Sequence, residues 1–205
     1  MLKMFKKPLI LAIVILALGV VTLYVVPLNI TNYPSAGHDI IAFGDSLTYG
    51  RGSQSGGYVG ALSKDLNIDI VNLGIVGQTS KQALARIASL DGYKPKVVIV
   101  LLGGNDFLQG VPLEQTEANL AEIIKSIHNR GAITLLVGLE EPRFANAHKA
   151  MFERLSRTYH TAFVPNILDG IYGVEAYMSD NLHPNDKGYR LMAERMEFIL
   201  KQLLK

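Results

Sequence analysis

Short runs of apolar, often β-branched residues, each stopped by glycine or a polar residue, recur along this chain with helix-like stretches between them. Asp39 to Phe43 is such a run and stops at Gly44, and Asp69 to Leu73 and Lys96 to Leu102 repeat the pattern. Ala132 to Val137 makes a fourth and Ala162 to Val164 a short fifth. Unbroken runs of this kind suit strands buried on both faces. The clearest helix begins near Glu114, where Leu113, Leu120, Ile123, Ile124 and Ile127 recur at helical spacing and Gly131 supplies a stop. A last helix starts at about Asn185 and turns Leu191, Met192, Ile199, Leu200 and Leu203 inward. Strand and helix in alternation predict an α/β fold, with a central parallel sheet covered by helices on both faces. At 205 residues the chain has room for one such domain and a modest appendage.

The appendage is at the start. Leu9 to Val26 is a run of 18 uncharged residues bounded by Pro8 and Pro27. As a helix it spans roughly 27 Å, close to the thickness of a bilayer core. Lys3, Lys6 and Lys7 precede it and the next basic residue is Arg51, so the positive-inside rule puts the N-terminus in the cytoplasm and the body outside. This predicts a cytoplasmic tip and single transmembrane anchor at 1–28, a polar tether at 29–38 and a folded domain at 39–205. The rival reading is a cleaved signal peptide and a secreted body. Against it, the run is longer than usual for a leader, and the nearest small-residue cluster, Ser35-Ala36-Gly37, lies well past it beside Pro34. A buried core helix is the third possibility, and nothing polar interrupts the stretch to support it.

Charge and composition exclude several classes of function. Residues 29–205 carry 17 basic and 18 acidic side chains, a net −1, so nothing in the body attracts nucleic acid. There is no cysteine, which removes disulfides, thiolate nucleophiles, cysteine-based metal sites and a lipoprotein anchor.

In parallel sheets of this class the reactive groups collect just past the carboxyl ends of the strands. Those positions hold Gly44-Asp45-Ser46-Leu47, then Asn72-Leu73-Gly74-Ile75-Val76-Gly77, then Gly103-Gly104-Asn105-Asp106. Before the last helix comes Asp180-Asn181-Leu182-His183-Pro184-Asn185. A serine hydroxyl becomes a useful nucleophile when an imidazole takes its proton and a carboxylate orients the ring. Asp180 and His183, three apart on a turn, suit the last two roles, and Ser46 suits the first. Acyl transfer also needs donors aimed at the oxyanion. The N–H groups of Ser46 and Gly77 and the side-chain amide of Asn105 are available.

In this order the four clusters resemble those of the SGNH/GDSL hydrolase family, over nearly the whole body from Ile40 onward. The resemblance implies Ser46 as nucleophile, Asp180 and His183 completing a triad, and Ser46, Gly77 and Asn105 as the oxyanion hole. It implies a flavodoxin-like three-layer α/β/α sandwich, with no cofactor and no metal. Size, the Gly-Gln-Thr-Ser stretch at 77–80 and the Gly-Gly-Asn-Asp-Phe-Leu segment are most similar to the bacterial thioesterase I, lysophospholipase and arylesterase subgroup. Two departures stand out: the leader resembles a retained anchor, and residue 78 is Gln where an acidic residue is common.

Taken singly, these residues have plainer readings. Ser46 suits a helix N-cap, Asp180 a cap before the last helix, and His183 a core hydrogen bond. Asp45, Asp106, Asp180 and His183 suit hard metal ions, but no second histidine is spaced for a site, and His38, His128, His148 and His160 look solvated. Asp45 is expected to stabilise the strand-end turn and Asp106 the loop carrying Asn105. Glu140 and Glu141 beside Pro142 read as a solvated loop. Phe107, Leu108, Tyr177 and Met178 either line an acyl pocket or simply pack. Together the residues predict a metal-independent serine ester hydrolase in a bacterial cytoplasmic membrane, its active site extracytoplasmic or periplasmic. Its substrates would be small acyl esters, acyl thioesters or lysophospholipids, and an anchor beside lipid favours the last. The alternatives are a carbohydrate O-acetyl esterase on cell-wall or surface glycans, and an inactive anchored binding module. The oligomeric state is left open.

Overall fold

Five strands form one parallel sheet: β1 (Asp39–Gly44), β2 (Ile70–Gly74), β3 (Pro95–Leu101), β4 (Ile133–Val137) and β5 (Ala162–Val164). They belong to a computed structural model that describes residues 29–140 and 146–205. The strand order is β2-β1-β3-β4-β5, the flavodoxin-like arrangement. All five expected strands are present. In β3 and β4 every side chain but that of Lys96 is buried, as strands covered on both faces require.

The helices are α1 (Ser46–Tyr49), α2 (Gly57–Leu66), α3 (Ser80–Ala85), α4 (Gly104–Leu108), α5 (Leu113–His128), α6 (Asn146–Tyr159) and α7 (Asp186–Leu203). Two 3₁₀ turns cover Ile87–Leu90 and Glu175–Tyr177. Right-handed crossovers place α2 on one face of the sheet and α3, α5 and α6 on the other. The contacts agree: α2 packs on α7, and α3, α5 and α6 pack in series. The expected stripe on α5 faces the sheet, where Leu120, Ile123, Ile124 and Ile127 are fully buried. Burial of side chains this size contributes roughly 1.5–3 kcal/mol each. Asn185 caps α7, its side chain accepting from the N–H groups of Lys187 and Gly188.

The first crossover runs to one side of β1 and the second returns to the other, so a crevice opens where the strand order reverses. Gly44, Gly74 and Leu101 are register partners there. Residue 44 has no room for a side chain, since a Cβ would lie 2.1 Å from Thr48 Oγ1 and 2.5 Å from Leu101 O.

The expected transmembrane run at 9–26 lies outside the described residues, as do Glu141 and Pro142. Among the described residues no helix is long and apolar enough to cross a membrane. The segment read as a polar tether, 29–38, is bonded to the domain along its length. Ile30 is buried in the core, and Thr31 bonds Tyr159 O and His160 O. Asn32 Nδ2 donates to His128 O at 2.9 Å and Ala132 O at 3.0 Å, and Ser35 Oγ donates to Gly131 O at 2.7 Å. Carbonyls left over at the amino ends of β4 and β5 account for these bonds, because a polar segment nearby satisfies them. Asn32 also sits at φ 64°, where an alanine is strained. Asn32→Ala should therefore lower stability by about 2–3 kcal/mol in urea unfolding; a loss below about 0.5 kcal/mol would mean that the segment does not hold.

Candidate active site

Asp45 caps α1, its Oδ1 accepting from Leu47 N at 3.0 Å, so Ser46 is the first helical residue and not the cap. A helix start leaves N–H groups without intrahelical partners. Among the described residues the Ser46 N–H meets no acceptor, and neither does the Gly77 N–H in the turn after β2. Gly77 has φ +78° and open space where a Cβ would stand.

Ser46 Oγ lies 3.0 Å from His183 Nε2. The other ring nitrogen, Nδ1, lies 3.0 and 2.9 Å from the two carboxylate oxygens of Asp180. Asp180 Oδ1 also accepts from the N–H groups of Leu182 at 2.7 Å and His183 at 2.8 Å. Its modest burial pushes the carboxyl up. The bonds from the His183 ring and the two N–H groups, with attraction to that ring, more than reverse this and hold it at about 2. An ionised carboxylate only accepts, so the proton on the imidazole belongs on Nδ1 and the Nε2 lone pair faces the Ser46 hydroxyl.

Asn105, in the first turn of α4, donates through Nδ2 to Gln78 O at 3.1 Å and to Asp45 Oδ2 at 3.3 Å. Asp45 is fully buried, and desolvation, opposed by the Leu47 N–H and reinforced by Asp106, pushes its carboxyl up to about 7. Asp106 accepts from Ser80 N at 2.8 Å and Ser80 Oγ at 2.5 Å, tying α4 to the start of α3.

These groups border an open cavity of about 130 Å³. Ser46, Gly77, Asn105 and His183 line it with Asp45 and Gly104, and Leu47, Val76, Leu108, Leu139 and Leu182 supply an apolar wall. Of the four residues weighed as an acyl pocket only Leu108 lines this cavity. Phe107 points away from this cavity and meets the His148 ring edge-on, with centroids 5.4 Å apart. Tyr177 and Met178 pack half-buried on the core and brace the His183 turn, Tyr177 O accepting from Asn185 N and Met178 bridging to Pro184. Val76 and Leu182 lie inside the sequence clusters and Leu139 just past β4, so position relative to strand ends was the available signal.

The other titratable residues also have definite places. His38 and His160 are exposed as expected. His128 is half-buried, and burial lowers its proton affinity. His148 is half-buried beside Phe107. Glu140 Oε1 lies 3.5 Å from Lys149 Nζ. Among the described residues no three His, Asp or Glu side chains converge as metal ligands would.

Residues 42–191 match the model of the GDSL-like lipase/acylhydrolase family. The chain belongs to this family. It is 33% identical over 183 residues to esterase TesA of Pseudomonas aeruginosa, covering 83% of this chain and 91% of that one. It is 31% identical over 180 residues to the thioesterase 1/protease 1/lysophospholipase L1 of Escherichia coli, covering 83% and 86%. The crystal structure of psychrotrophic esterase EstA from Pseudoalteromonas sp., inhibited by monoethylphosphonate, superposes with a TM-score of 0.72 at 31% identity, covering 82% and 99%. This GDSL-family chain is accordingly an ester hydrolase, of the thioesterase, lysophospholipase and arylesterase subgroup.

Burial of Asp45 has a measurable consequence. Between about pH 4 and pH 7 the folded chain keeps a proton on Asp45 that the unfolded chain has released, so this residue costs stability progressively as pH rises through that window. Asp45→Asn removes the titration and keeps an acceptor for Leu47. In urea unfolding the variant should gain on the unmutated chain from pH 4 to pH 7 and the difference should level off above; a difference independent of pH would show that Asp45 titrates normally.

Proposed function

We propose that this ester hydrolase works through Ser46 as nucleophile, His183 as general base and acid, and Asp180 as the group that fixes the imidazole tautomer. The observation that carries the reading is the unbroken hydrogen-bonded chain from Ser46 Oγ through the ring to the Asp180 carboxylate. Ser46 attacks the acyl carbonyl and its proton passes to Nε2, which then protonates the leaving group. Water, deprotonated by the same nitrogen, releases the acyl group.

The oxyanion is bound by the N–H groups of Ser46 and Gly77 and by the amide of Asn105. Two of these donors are free. Asn105 Nδ2 is engaged, but one of its acceptors is a carboxyl that burial keeps largely protonated below pH 7, and an oxyanion is the stronger acceptor. No step calls for a metal or cofactor.

The relatives' names support acyl esters, acyl thioesters and lysophospholipids as candidate substrates. A cavity of about 130 Å³ is close to the ~150 Å³ that encloses benzene, which suits acyl groups of up to about six carbons before the chain reaches the exposed rim at Val76 and Leu108. Leu9 to Val26 is read as an anchor that holds the body outside a cytoplasmic membrane.

A phosphonate probe should label the intact chain and fail to label Ser46→Ala; equal labelling would remove Ser46 as the nucleophile, and labelling of neither would favour an inactive binding module. Asn105→Ala should lower turnover of short p-nitrophenyl esters by about 100-fold or more with folding retained, and a change under about threefold would remove it from the oxyanion hole. After membrane fractionation and alkaline carbonate extraction, the chain should remain in the pellet with its N-terminal run intact. A shortened chain in the soluble fraction would replace the anchor with a cleaved leader.

A further inference from the structure

Arg86 follows α3 and takes no part in the reaction scheme, yet its side chain folds back under the site. Its Nε lies 2.8 Å from Gln78 Oε1, and one terminal nitrogen lies 2.5 Å from the same oxygen. That nitrogen also reaches Leu73 O at 2.8 Å and Gly44 O at 3.2 Å, the carbonyls at the ends of β2 and β1. The guanidinium lies 4.0 Å over the Phe43 ring centroid. All these acceptors are uncharged, so the cation is held by dipoles and a ring face where ion pairing is the commoner solution.

What Arg86 grips is the turn that carries one oxyanion donor and orients another. Gln78 is 7% exposed. Its backbone oxygen accepts from Asn105 Nδ2 at 3.1 Å, and the residue before it is Gly77, whose N–H borders the cavity. Gly77, at positive φ with nothing near its Cβ position, is not fixed by packing of its own. The turn is tied on its upstream side by Ile75 N to Gly44 O and downstream by the Thr79–Gln82 capping box of α3. Between those ties the Gln78 side chain is held by Arg86. A planar fork that reaches three carbonyl oxygens at once can fasten β1, β2 and the turn together, which a lysine ammonium on a flexible stem does less well.

We propose that Arg86 is a positioning residue which, through Gln78, fixes the Ile75–Gln78 turn so that the Gly77 N–H and the Asn105 amide meet the developing oxyanion. This rests on the hydrolase reading above. Displacing donors by about 1 Å can cost on the order of 100-fold in rate. Arg86 touches neither substrate nor reacting atoms, so its removal should lower kcat and leave KM nearly unchanged.

The test is a double-mutant cycle in the full chain, with a short p-nitrophenyl ester as substrate. Arg86→Met should lower kcat by about 30-fold with KM within about threefold of the unmutated value. In an Asn105→Ala background, where only the Gly77 N–H is left to misplace, the same change should cost clearly less, about tenfold or below. Equal factors in the two backgrounds would mean a general structural role and overturn the inference, as would an unchanged kcat. Should Arg86→Met not fold, Gln78→Met and Gln78→Glu supply the answer. Gln78→Met removes the acceptor and should lose kcat as Arg86→Met does, whereas Gln78→Glu keeps it and should stay within about threefold of the unmutated chain; equal losses in both would overturn the inference. Absence of Ser46-dependent turnover in the unmutated chain is a separate failure, of the hydrolase reading itself.

Discussion

Gly44, Gly74 and Leu101 sit side by side at the carboxyl ends of three parallel strands, and most of the site hangs from that register. Ser46 stands two residues past the first, Gly77 three past the second and Asn105 four past the third. The strands are buried by side chains that alternate between faces, so a slip of one residue would turn every core side chain to the wrong layer. Packing of Phe43, Val100 and their neighbours therefore fixes the register, and through it the spacing of three groups that never touch the core. The absence of a side chain at residue 44 is part of the same constraint, since α1 can begin so close to β3 only where no Cβ intervenes.

The two carboxyls nearest the reaction are treated in opposite ways by their surroundings. Asp180 lies on an exposed turn but receives a ring N–H and two backbone N–H groups, and stays ionised well below neutral pH. Asp45 is sealed beneath the cavity with one backbone donor and the Asn105 amide, and desolvation dominates. In the proposed mechanism the first arrangement supplies a fixed negative charge to an imidazole that must become positive. The second lowers the negative charge standing beside the proposed oxyanion donors as pH falls below about 7. Arg86 bonds the turn that carries the proposed donors and, among the described residues, has no carboxylate partner, so its charge favours the sign that the proposed oxyanion carries.

The sheet was legible because burial on both faces writes itself as an unbroken apolar run, as in Val97 to Leu102. The four clusters were legible because chemistry-bearing residues at strand ends have few other reasons to be there. What stayed hidden depends on tertiary neighbours. In α6 only Met151, Phe152 and Leu155 are buried among polar residues, so its periodicity is faint. Asn29 to Gly37 looks like a tether because Ile30 is its one large aliphatic residue past Asn29 and its hydrogen bonds go to carbonyls about 100 residues away. Phe107 and Leu108 are neighbours in sequence, and helical geometry turns them about 100° apart, so that one lines the cavity and the other meets His148, which composition alone does not reveal. Arg86 has no motif around it, and its meaning comes only from the three carbonyl oxygens it reaches.

One separation is not covered by the strand register. Ser46 and His183 lie 137 residues apart, and closing a flexible loop of that length costs about 4 kcal/mol, whereas a single hydrogen bond contributes a net ~1 kcal/mol. The serine–histidine contact therefore cannot hold itself together. Asp186, three residues past His183, accepts from the Ser53 and Ser55 hydroxyls and from Gln54 N, and Tyr189 donates to Arg51 O at 2.8 Å. These bonds fasten the loop after α1 to both sides of the start of α7, and the packing of α2 on α7 extends the seam. The Ser46–His183 distance is thus set by polar clamps and helix packing that take no part in the proposed proton transfer, which leaves the Ser46 hydroxyl free to exchange its partner in the proposed reaction.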